Sequence, residues 1–104
     1  MQVTTCISSA EMGDVYKALA DPTRRLILDE LAERDGQSLF ELCARLATRH
    51  NVTSSRQAIS QHIAVLKEAG LVSSHRSGRT RVHHLHTEPL REIVDRWLAD
   101  REDP

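Results

Sequence analysis

Over most of the chain apolar residues return every three or four positions, and only near residues 71–86 does the rhythm shorten toward alternation. Met12, Val15, Tyr16 and Leu19 share one stripe and predict a first helix over residues 9–20. Asp21-Pro22 then restarts the chain, because Asp can accept an orphan helical N–H and proline has none to leave unpaired. Leu26, Ile27, Leu31 and Ala32 form the expected buried stripe of a second helix, ended near Arg34 by Asp35-Gly36. Gln37 to Leu39 fits a short strand, and Leu39, Leu42, Cys43 and Leu46 outline a third, amphipathic helix. The polar run Thr48 to Thr53 has no apolar rhythm and reads as a loop, with continuation of the helix to His50 as the alternative. Ser54-Ser55 caps a fourth helix in which Ile59, Ile63, Leu66 and Ala69 face the core, and Gly70 stands where a left-handed residue ends it. Two β-prone runs, 71–75 and 80–86, flank Arg76-Ser77-Gly78-Arg79 and make a hairpin. Pro89 opens a last helix with Leu90, Ile93, Val94, Trp97 and Leu98 on one side, followed by an acidic tail, residues 100–104.

The expected fold class is therefore mainly α with a small β-hairpin wing, in the order four helices, hairpin, helix. At 104 residues it is expected to be one domain with one modest core, too small for a catalytic annex. Apolar residues make up 39 % and charged residues 28 %, and no apolar run is long enough for a membrane span. Met1 to Ser9 lacks the features of an export signal, so a cytoplasmic location is expected. Cys6 and Cys43 are too few for a disulfide framework, and reduced thiols are the default. Cys43 lies on the core side of the third helix as a small hydrophobe; Cys6, in the N-terminal tail, leaves a thiol-based sensor open as an alternative.

A formal charge of −1 argues against a polyanionic partner until its distribution is considered. Of 14 basic and 15 acidic residues, residues 54–86 hold five of the former and Glu68 alone of the latter, leaving nine and fourteen elsewhere. One third of the chain is basic and the rest acidic, which suits a single anion-binding face. In the fourth helix the stripe opposite the core is Gln57, Ser60, Gln61, Ala64 and Lys67. Gln can pair with adenine, Ser serves either base type, and no carboxylate repels phosphate. Ser55 and Arg56, at the start of that helix, are placed to hold a phosphate, and Arg76, Arg79 and Arg81 cluster around the hairpin tip. Double-stranded DNA is the expected partner. A solvated helix face, or a winged fold that docks proteins instead, is the bland competitor.

The strings ALADPTRRLILDEL (Ala18 to Leu31) and ISQHIAVLKEAGLVSSHRSGRTRVHHL (Ile59 to Leu85) resemble the ArsR/SmtB family of bacterial winged-helix repressors. The resemblance implies a homodimer held by the first and last helices, bound to an imperfect palindrome and released by an inducer that the sequence does not identify. On that reading Met12, Val15, Leu19, Leu90, Ile93, Val94 and Trp97 form the dimer interface; their apolar surface exceeds what so small a domain is expected to bury alone. The alternative is that they complete the core of one chain. His62 matches a position usually His in the family and is carried over as a structural or DNA-backbone contact. One departure is the twelve residues between Leu46 and Ile59, about twice the number usual in the family, which lengthen the turn before the reading helix.

Metal-sensing relatives carry E-L-C-V-C in the third helix or Asp and His pairs in the last. Here Cys43 is followed by Arg45 at the second cysteine's place, and Pro89 to Pro104 holds no histidine. No metal and no cofactor is expected. His84 and His86 share a strand face, near His75 and His83, and are more plausible as wing residues than as ligands. No nucleophile elbow, phosphate loop or paired-carboxylate motif is present, so no enzymatic activity is expected.

Overall fold

The computed structural model describes residues 9–98, with side chains from residue 14 onward. Its elements are α1 (Ser9–Leu19), α2 (Pro22–Glu33), β1 (Gln37–Ser38), α3 (Leu39–His50), α4 (Arg56–Glu68), β2 (Val72–Ser77), β3 (Thr80–Leu85) and α5 (Glu88–Trp97). Cys6, the side chain of Met12 and the acidic tail lie outside the described residues.

Local chemistry sets the boundaries. Asp21 accepts from the N–H groups of Thr23 (2.8 Å) and Arg24 (3.2 Å), with Pro22 directly inside the helix. Ser38 and Glu41 form a reciprocal capping box at the head of α3. Ser55 caps α4 by accepting from the N–H of Ala58 at 3.0 Å. Gly70, at φ +78°, reverses the chain after α4, and the Leu71 N–H returns to the Leu66 carbonyl. β1, β3 and β2 form an antiparallel sheet in that order, with Gln37 opposite His83 and Ser77 opposite Thr80. The first hairpin strand runs two residues further toward the tip than the sequence suggests, to Ser77, leaving a two-residue turn, Gly78-Arg79. Gly78 takes φ +65° at its first position, the arrangement that matches strand twist.

The core is one cluster drawn from α1 to α4 and the first residues after α4, with Ile27, Leu31, Leu42, Leu46, Ile59, Leu66 and Leu71 out of water. Two expectations change here. Val15, expected at a subunit interface, is only 2 % exposed and belongs to the core of its own chain. Ala32, expected in the buried stripe of α2, is exposed, while Glu30 is buried in the same helix.

Glu30 is tolerated because α3 brings cations to it. Arg45 Nε lies 2.5 Å and His50 Nε2 2.8 Å from its two oxygens, with Arg49 at 3.6 Å. Burial alone would raise this carboxyl; the Arg45 and His50 hydrogen bonds outweigh it and hold it below the ordinary range. Arg45 and Arg49 also bind Glu33. The network explains the length of α3. Residues 47–50, a third of the twelve-residue stretch between Leu46 and Ile59, continue the helix as the alternative reading had it. Asn51 then turns left-handed at φ 57°, and the Val52 N–H returns to the Leu46 carbonyl.

Candidate nucleic-acid interface

On α4, with Ile59, Ile63 and Leu66 buried, Gln57, Ser60, Gln61, Ala64 and Lys67 all lie exposed along one face, as their spacing requires. Arg56 occupies the first turn beside Ser55. His62 is different. It is half-buried on the flank toward α2, where Arg24 Nη1 donates to its Nδ1 at 3.1 Å. Arg24 also donates to the carbonyls of Ala18 and Lys17, so His62 joins a tie between α4, α2 and the end of α1.

Between α4 and the hairpin runs a groove of about 520 Å³. Arg56 and Ser60 line it from the helix, Arg79 and Arg81 from the hairpin, and Ile63 and His83 from beneath. No acidic side chain lines it. Arg76 is not in the groove wall but stands directly opposite Arg81 across the strands. Two like charges at facing positions repel, a cost that an anion between or above them removes. His83 is buried with its Nδ1 2.7 Å from Ser74 Oγ. Burial first, then Lys67, Arg81 and His84, push its pKa below the ordinary histidine value.

Sequence reasoning passed over Ser38, Phe40 and Thr80, which line the same groove. Phe40 was detectable in principle. It lies off the Leu39-Leu42-Cys43-Leu46 stripe, so a large apolar side chain was due to face outward. Ser38 and Thr80 carried no comparable signal, since small hydroxyl residues are common at caps and turns.

The other histidines have partners within the chain. His84 Nδ1 donates to Asp35 at 2.8 Å and its ring stacks on His75, while His86 Nε2 meets Ser73 Oγ at 2.6 Å. Among the described residues no group of three or more His, Cys, Asp or Glu is placed to hold a metal ion. Cys43 is half-buried against the core; burial pushes its thiol up, against a smaller opposing pull from Arg56. No described helix is long and apolar enough to cross a membrane.

A second surface lies on α1 and α5. Leu19, Leu90 and Ile93 are half-buried against the core, but Val94, Leu98, Tyr16 (41 %) and Trp97 (54 %) are exposed. The Tyr16 and Trp97 rings are 6.4 Å apart, and the Arg96 guanidinium lies over Trp97.

Comparison with known proteins agrees with this geometry. A family model described as a helix-turn-helix domain matches residues 19–75. The chain is 49 % identical over 84 residues to the HTH-type transcriptional regulator YuzN of Bacillus subtilis (strain 168), covering 81 % of this chain and 91 % of that protein. It is 36 % identical over 89 residues to the transcriptional repressor SdpR of the same organism, covering 86 % and 90 %. The structure of an ArsR-like transcriptional regulator from Rhodococcus sp. RHA1 superposes with a TM-score of 0.73 at 34 % identity, over 88 % of this chain and 76 % of that one. With the helix-turn-helix model matched over residues 19–75, 49 % identity to one such regulator and the fold of another, the chain belongs to the ArsR family of DNA-binding, winged helix-turn-helix transcriptional regulators.

Proposed function

We propose that the chain is a repressor that binds a palindromic operator as a homodimer and leaves it when an inducer binds. The observation that carries the reading is the arginine-lined groove, continuous with an α4 face free of carboxylates before Glu68. α4 enters the major groove and reads bases through Gln57, Ser60 and Gln61, with Lys67 at its far end. Arg56, Arg79 and Arg81 take phosphates, and Arg76 extends the basic rim. His62 serves chiefly as a positioning residue through Arg24. A repressor named among the relatives, SdpR, supports the direction of regulation. The exposed patch around Tyr16, Val94 and Trp97 supports a two-fold assembly, with half-sites roughly 34–36 Å apart.

The test is selection of a preferred duplex from a random pool, followed by titration of selected and random duplexes at two salt concentrations. Gln61→Ala is expected to cost about 1–3 kcal/mol on the selected duplex and little on random DNA. Arg79→Ala is expected to weaken both and to make the salt slope shallower by about one. Equal loss for Gln61→Ala on both duplexes removes base reading by α4. Absence of any salt-dependent duplex binding by the parent overturns the DNA reading and leaves a protein-docking module.

A further inference from the structure

Phe40 is 68 % exposed, more than any other large hydrophobic side chain among the described residues. The others, Tyr16, Val94, Trp97 and Leu98, gather on α1 and α5, but Phe40 stands alone on the first turn of α3. Local structure does not require it there. Ser38 and Glu41 supply the capping box, Leu42 fills the core, and phenylalanine is only a moderate helix former. Its surroundings are cationic. The ring shares the groove wall with Arg56, Arg79 and Arg81, and the nearby carboxylate of Glu41 is turned back to the Ser38 N–H at 2.9 Å and toward Arg34.

A ligand matched to this groove carries negative charge and also presents an apolar face. A small inorganic anion would use the guanidinium groups and leave the ring in water. A duplex backbone alternates phosphates with deoxyribose rings, whose carbon faces are apolar, and so uses both. The facing pair Arg76 and Arg81 adds an independent demand for negative charge at the same hairpin.

We infer that Phe40 packs against a deoxyribose of the DNA strand that lies between α4 and the hairpin, while Arg56, Arg79 and Arg81 take phosphates along that strand. The inference rests on the DNA-binding reading above and adds an apolar, sequence-independent clamp to it. Because sugar packing releases no counterions, its signature differs from that of the arginines.

The experiment uses a labelled duplex of mixed sequence, titrated with the full chain at about 50 mM and about 200 mM salt. Phe40→Ala is expected to weaken binding about five- to tenfold at both salt concentrations, with an unchanged salt slope. Phe40→Leu, which keeps apolar bulk, is expected to recover part of that loss. The thermal midpoint is expected to stay at the parent value, since so exposed a ring contributes little to folding. Parent-like affinity of Phe40→Ala on a duplex that the parent binds overturns the clamp and leaves the DNA reading standing. A shallower slope overturns it as well, because the ring would then act by placing arginines. If the parent itself binds no duplex, both fall together.

Discussion

His83 occupies the floor of the groove with almost no contact with water. Burial disfavours its charged form first, and Lys67, Arg81 and His84 add repulsion, so its pKa in the folded chain lies below the ordinary 6.5. Between that depressed value and 6.5 the unfolded chain holds a proton that the folded chain does not. Stability from this residue is therefore complete above about pH 6.5 and declines as pH falls through that window. The depressed carboxyls of Glu30 and Asp35 act separately, since their windows begin near 4.5 and 3.8. His83→Gln retains a hydrogen-bonding side chain toward Ser74 and cannot take up the proton. Urea midpoints of parent and His83→Gln, compared at about pH 7.5 and about pH 5.5, are expected to show a steeper fall for the parent. Parallel curves would refute a buried, neutral His83.

Among the elements, α3 carries the clearest sequence-specific adaptation. Its last turn is held to α2 by Arg49 on Glu33 and His50 on Glu30, and it can end there because Asn51 accepts a left-handed backbone. Asn tolerates that conformation better than a residue with a plain Cβ, and Gly tolerates it without strain. Asn51→Ala is expected to destabilise the chain by about 1 kcal/mol, and Asn51→Gly to leave it near the parent value, both measured by urea unfolding. Equal stability of Asn51→Ala and the parent would mean that the turn relaxes freely. The same element shows which features the sequence made legible. Caps and stops that depend on adjacent residues, such as Asp21-Pro22, Ser55 and Gly70, could be read directly, as could the outward stripe of α4. Features that depend on distant partners could not. Glu30 looks like a surface residue until Arg45 and His50, fifteen and twenty positions away, are folded against it. Val15 and Trp97 lie on similar apolar stripes, and spacing alone does not say which one the core accepts. Phe40, off the apolar stripe of its helix, was passed over because its significance needed the hairpin arginines beside it.

At the scale of the whole molecule the question is why α5 keeps an apolar face in water. None of its residues is fully buried, yet Leu90 and Ile93 lean on the core while Val94, Trp97 and Leu98 do not. A chain of this length has too little interior to accept a second face. The proposed homodimer would cover it with an identical face, since a two-fold contact there would set Trp97 and Tyr16 of one subunit against the same surface of the other. Such an axis would also set two copies of α4 and its basic groove side by side, which ties oligomerisation to operator binding. Trp97 is 54 % exposed in the single chain, so Trp97→Glu would place a charge within the proposed contact while the fold itself has little to lose. The variant is expected to sediment as a monomer with a helical circular-dichroism spectrum like the parent's. Its thermal midpoint should no longer rise with protein concentration, as a dimer's must. Its affinity for a selected palindromic duplex should fall by well over tenfold, since two linked half-site contacts become independent ones. Binding to random duplex is expected to weaken far less, because each subunit keeps its own groove. A Trp97→Glu protein that still sediments as a dimer would move the subunit contact away from α5, and with it the predicted spacing of the half-sites.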